Sequence, residues 1–96
     1  MATLQVEVRP GAGLCGYSLF VDGVPVTMGQ GHRGEARCEG RCGDGSSHAL
    51  LYSFSGVPGA SLTILVKCRG RESCRINSAP IAEGSAHGAG RHLFDL

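Results

Sequence analysis

Ser47-His48-Ala49-Leu50-Leu51-Tyr52-Ser53-Phe54-Ser55, then Gly56-Val57-Pro58-Gly59-Ala60, then Ser61-Leu62-Thr63-Ile64-Leu65-Val66-Lys67-Cys68 is the most strongly patterned stretch of the chain. Leu50, Tyr52 and Phe54 alternate with Ala49, Leu51, Ser53 and Ser55. Leu62, Ile64, Val66 and Cys68 alternate with Ser61, Thr63, Leu65 and Lys67. Period-two alternation places each set on one face of a strand. Between the runs, Pro58 presets φ for a turn and Gly59 supplies the positive φ that a type II turn needs next. The pattern predicts an antiparallel hairpin whose apolar face is the middle of the core. Ile64, mid-strand in the longest apolar run, is expected to face Tyr52 or a near neighbour across it.

Outward from this stretch the same period recurs. Leu4, Val6 and Val8 alternate with Thr3, Gln5 and Glu7, a first strand with one wet face. Arg9 to Gly13 reads as a turn. Cys15, Tyr17, Leu19 and Val21 interleave with Leu14, Gly16, Ser18 and Phe20, so this strand is expected to be covered on both sides. Asp22-Gly23 is a two-residue hairpin signal, because a type I′ turn needs positive φ twice. Val24 to Met28 returns as an edge strand, since Pro25 cannot donate to a ladder. On the C-terminal side, Arg69 to Glu72 is a turn and Ser73–Asn77 a short strand. Ser78 to Gly90 is mainly loop anchored by Ile81. Arg91 to Leu96 closes as a strand with His92, Phe94 and Leu96 on one face.

The pattern stops between Gly29 and Ser47, where six glycines lie among charged residues. Loops beyond about 12–15 residues are uncommon in compact domains unless they serve a function. A short strand near Glu35–Cys38 is expected to interrupt this one. Residues 1–96 are thus predicted to form a single all-β domain, a small antiparallel β-sandwich of seven or eight short strands. A long Gly-rich loop lies at about 29–47. A Greek-key order is compatible with this, and a small barrel is the alternative. Tryptophan is absent, which removes the Cys–Trp–Cys signature of immunoglobulin domains.

Composition narrows the function classes. Nine Lys and Arg against eight Asp and Glu leave a formal charge of +1, which gives no nucleic-acid signal. No apolar run approaches the ~18 residues of a membrane span. The N-terminus alternates from its start and has no basic, then apolar, leader. This points to the cytoplasm, or to a secreted or periplasmic protein whose leader has been removed.

Five cysteines form an odd set, so at least one is unpaired within the chain. Cys38 and Cys42 make one local pair, and Cys68 and Cys74 another. Four thiolates suit zinc, with His32 or His48 able to replace one of them. The same residues suit two local disulfides, one closing a small loop and one crossing a turn. Cys15 reads as a small buried hydrophobe. No other cofactor is implied.

Two glycine motifs, Gly11 to Gly16 and Gly29 to Gly34, match a phosphate-cradling spacing. Both lack the helix that such chemistry needs, and plain turns account for them. No nucleophile elbow and no acidic cluster is present, which argues against catalysis. Cationic side chains are concentrated instead in the long loop, with His32, Arg33, Arg37 and Arg41 beside Asp44. A second group, Lys67, Arg69 and Arg71, surrounds the turn after the central stretch. These are the candidate binding residues. The expectation is a non-catalytic binding or protein-interaction module, its partner another protein or an anionic or small ligand. The alternative is a zinc- or disulfide-stabilised structural domain. A cysteine-dependent or hydrolytic enzyme stands third.

Overall fold

The alternation at the N-terminus is realised in strand β1 (Ala2–Pro10), whose Ala2, Leu4, Val6 and Val8 are buried while Thr3, Gln5 and Arg9 are exposed. This computed structural model describes residues Met1–Leu96. The further strands are β2 (Leu14–Val21), β3 (Val24–Pro25), β4 (Thr27–Met28), β5 (Arg33–Cys38), β6 (Ser47–Gly56), β7 (Leu62–Cys68), β8 (Arg71–Asn77) and β9 (His87–Asp95). They form two antiparallel sheets in a sandwich. The five-stranded sheet has the order β4-β5-β1-β7-β8, and the four-stranded sheet the order β3-β2-β6-β9. The chain has no α-helix, and hence no helix long and apolar enough to cross a membrane.

The core lies between the inner faces. Leu4, Leu50, Leu62, Ile64, Val6, Val21 and Val66 are each under 2 % exposed. Each such side chain contributes about 1.5–3 kcal/mol on burial. On the inner face of the four-stranded sheet, Phe54 lies over Gly88 and Tyr52 over Gly90, so closely that a Cβ at either glycine would enter the ring. These two glycines let the aromatic rings, stacked 6.2 Å apart, close the core beside strand β9.

The β-sandwich expectation holds, but the central stretch is not a hairpin. Strands β6 and β7 belong to different sheets, and Ile64 pairs with Val8 and Ile76 rather than facing Tyr52. The turn itself forms as read: Ala60 N–H donates to Val57 O at 3.0 Å, with Gly59 at φ 90°. A type II turn, however, splays the strands it joins. Both sides of β6 are also already taken, by β2 and β9. Leu62–Cys68 therefore crosses to the other sheet. Leu65 points away from the core but is 1 % exposed, with Glu7 and Arg75 as its ladder partners.

Asp22 and Gly23 take φ of 50° and 80°, as a type I′ turn requires, and Pro25 sits on the edge strand β3. Nine strands form instead of seven or eight, because the segment after this turn divides at buried Val26 and continues as β4 in the other sheet. The unpatterned stretch is also shorter than it reads: Arg33–Cys38 is a full strand, paired with β1, which leaves a short 3-10 turn at Gln30–His32 before it and a loop at residues 39–46 after it. Cys15 is exposed, not buried, because it is the extra residue of a bulge between the pairs Leu14–Gly56 and Gly16–Ser55. β2 is covered chiefly on one side, with Ser18 on its other face exposed.

Candidate binding site

Residues 39–46 are tied down from within. The Asp44 carboxylate accepts the Ser46 hydroxyl at 2.6 Å, the Arg41 N–H at 2.7 Å and the Ser46 N–H at 2.8 Å. These bonds, led by the Ser46 hydroxyl and then the Arg41 N–H, hold its pKa down at about 2. Gly40, at φ 104°, leaves room for the Asp44 and Ser46 side chains, which a Cβ there would meet at 2.7 Å. Gly45 N–H donates to Leu96 O, and Leu96 N–H to Ser46 O, so the loop and the end of β9 hold each other.

A disulfide adds a second anchor. It joins Cys42 to Cys68, with the Cα atoms 5.7 Å apart. The local pairings Cys38–Cys42 and Cys68–Cys74 do not form. Cys38 and Cys74 point into the core and stay reduced, while β8 places Arg71 opposite Cys68 and Cys74 opposite Val66. Cys42 instead reaches across the start of β1, the strand between β5 and β7, to the end of β7. No three His, Cys, Asp or Glu side chains converge on a point that would hold a metal ion.

Beside the disulfide is a shallow groove of about 270 Å³, lined by Met1, Thr3, Gln5, Arg41, Cys42 and Arg69 among others. Two more cations flank it by register: Arg37 is opposite Thr3, and Lys67 opposite Gln5. None of Arg37, Arg41, Lys67, Arg69 or Arg71 is in an ion pair. The fold thus gathers Arg37, Arg41, Lys67 and Arg69 at one end of the five-stranded sheet, with Arg71 just across the Arg69-Gly70 turn. Unpaired cations close together raise the local potential and favour an anionic ligand.

The other candidates have partners within the chain. Arg33 faces Glu7 at 3.7 Å. His32 Nδ1 and the Tyr17 hydroxyl are hydrogen-bonded at 2.6 Å. Asp44 shapes the loop that carries Arg41. Thr3 and Gln5 line the groove but read only as the wet face of a strand.

A further constellation, without a motif in the sequence, lies behind the loop. His48 is 7 % exposed, with Nδ1 at 2.6 Å from Asp22 Oδ2 and Nε2 at 2.9 Å from Ser46 Oγ. Asp22 also accepts the Ala49 N–H at 2.9 Å. Burial pushes the Asp22 carboxyl up, but the Ala49 N–H, the His48 hydrogen bond and the His48 charge outweigh it, and the net shift is down. The order Asp–His–Ser is that of a hydrolase triad, yet the serine proton is directed at Asp44, so His48 is not placed to take it. The network joins the β2–β3 turn, the start of β6 and the loop.

The two buried free thiols, Cys38 and Cys74, are equally unsuited to attack. Burial, aided by the charges of Asp22 and Asp44, raises Cys38 above its ordinary value, and burial beside Glu72 raises Cys74 to about 11. No protein-family model, no curated protein and no solved structure matches this chain.

Proposed function

We propose that this protein is a non-catalytic binding module that takes an acidic segment of another protein into the groove beside Cys42–Cys68. The observation that carries the reading is the set of unpaired cations at one sheet end, one of which, Arg41, is on a loop fixed by a disulfide and by Asp44. A loop fixed in advance loses little conformational entropy on binding, so its charges act at full effect. The chain's net charge is only +1, so the attraction is local rather than global.

The test is titration with a fluorescent hexaglutamate peptide at low and at physiological salt. Binding should weaken steeply with salt. Arg41→Glu/Arg69→Glu should abolish it, whereas Arg33→Gln, which removes a cation already paired with Glu7, should not. Equal binding by wild type and the double variant would overturn the proposal.

The second reading, a disulfide-stabilised structural domain, draws on the Cys42–Cys68 bridge. It predicts that reduction lowers stability while the peptide binds wild type no better than the double variant.

A further inference from the structure

Three of the four sheet edges are blunted against pairing. β3 and β4 are two residues long, and β3 contains Pro25. β8 carries Arg71, Glu72 and Arg75 and a register shift opposite Val66 and Lys67. Short strands, proline, charge and bulges are the devices that keep edges from joining other chains. β9 has none of the structural ones. It runs unbroken over His87–Asp95, contains no proline or lysine, and pairs with β6 without a shift from Ser47–Asp95 to Ser55–His87.

The direction of its free backbone groups follows from the ladder. Leu96 N–H donates to Ser46 O, and Gly56 N–H donates to Ala86 O, so even-numbered residues turn their main chain toward β6. Without a bulge, the odd-numbered ones turn it outward. The Ser85 hydroxyl occupies the N–H and C=O of His87. Ala89, Arg91, Leu93 and Asp95 have no partner for theirs.

The side chains choose an occupant. Phe94 is buried, so Arg91, Leu93 and Asp95 lie on the outer face, where Leu93 is 60 % exposed and Leu51 of β6 is 41 % exposed. In an antiparallel pairing of β9 with a second β9, a two-fold axis at Leu93 sets Arg91 opposite Asp95 twice. The same axis brings the two Leu93 side chains together. An axis at Arg91 would oppose two arginines, and one at His92 would leave Arg91 facing Leu93. Only the register at Leu93 matches both charges, and it pairs residues whose N–H and C=O groups already point outward.

We infer that the chain forms a homodimer through antiparallel β9–β9 pairing centred on Leu93. The two four-stranded sheets become one continuous sheet. Arg91, Leu93 and Asp95 exchange on the order of six main-chain hydrogen bonds across the axis. Two outer-face ion pairs flank a leucine contact. This interface lies on the sheet opposite the cationic groove and is independent of what that groove binds.

Sedimentation equilibrium from about 5 to 500 µM tests it, a range suited to a small interface. The wild type should show a monomer–dimer equilibrium. Arg91→Asp alone and Asp95→Arg alone place like charges across the axis and should each weaken dimerisation at least about tenfold. The swap Arg91→Asp/Asp95→Arg should restore it. Leu93→Pro removes an N–H that β6 does not use, so the monomer should stay folded by circular dichroism while the dimer is lost. A wild type that is monomeric at the highest concentration overturns the inference. So does a dimer indifferent to the single charge changes, or one that Leu93→Pro leaves intact.

Discussion

Asp22, at the tip of the β2–β3 turn, holds the buried His48 ring by its Nδ1 at 2.6 Å, and so locks that turn to the start of β6. Asp22→Ala would leave a buried ring nitrogen and the Ala49 N–H unpartnered, and would place alanine at φ 50°. A loss of about 1–3 kcal/mol is expected for the unsatisfied groups. Asp22→Asn tolerates the positive φ and keeps an oxygen acceptor, so it should lose distinctly less. Urea unfolding of the two variants side by side checks the difference.

Acid should loosen the same region. Both Asp22 and Asp44 are held below the ordinary carboxylate range. A carboxyl with a depressed native pKa contributes stability above its unfolded pKa and loses it as the pH falls through the native one. The window for Asp44 runs from about 4, where an unfolded aspartate titrates, down to about 2. Urea midpoints at pH 7, 4 and 2.5 should fall across it. Asp44→Asn should start less stable and fall by less.

In the core, Ile64→Ala should cost about 2–5 kcal/mol. Ile64 is fully buried between Val8 and Ile76, both in regular strands that cannot close on the space. Thr63→Ala loses an exposed hydrogen bond to Asn77 and should cost well under half as much. Leu65→Ala should resemble Ile64→Ala more than Thr63→Ala, because Leu65 is 1 % exposed despite its outward direction. Denaturant midpoints at constant slope rank the three.

That ranking separates what the residue pattern carries from what it does not. Alternation identifies the core-facing residues of β1, β6 and β7, though not the burial of Leu65 on the other face, because which face a side chain takes is a local property of the strand. Which strand lies beside which is not local. The turn at Pro58-Gly59 was legible as a turn, and its type even disfavours a hairpin, but the pattern of Leu50 and Ile64 is the same in one sheet or two. The site divides likewise. Arg37, Arg41, Lys67 and Arg69 are conspicuous as cations, but only the ladder of β1 with β5 and β7 brings them to one end. Cys42 meets Cys68 rather than Cys38 or Cys74, although all three are buried, and no spacing in the sequence marks that choice. The Asp22–His48–Ser46 contacts carry no spacing that a sequence search would find.

Thiol chemistry should report this arrangement directly. Without denaturant, intact-mass labelling should find Cys15 modified quickly, Cys38 and Cys74 only slowly, and Cys42 and Cys68 not at all. Reduction opens a bridge between residues 26 apart. It should lower stability by about 3–4 kcal/mol, the chain-entropy value for a loop of that order. The Cys42→Ser/Cys68→Ser variant should reproduce the loss and remove its dependence on reductant.

The place of β1 in the middle of its sheet also sets a timetable for synthesis. Val8 is made well before its ladder partner Ile64, which comes 64 − 8 = 56 residues later. At ribosomal rates of about 5–20 residues per second, several seconds pass before that partner can arrive. Throughout that time Leu4, Val6 and Val8 have at most one flanking strand, β5, and no second neighbour to complete the sheet. Pairings this distant are slow to close even in a finished chain. The nascent protein therefore carries β1 half-dressed until Cys68 has emerged, and that strand is settled only by one made much later.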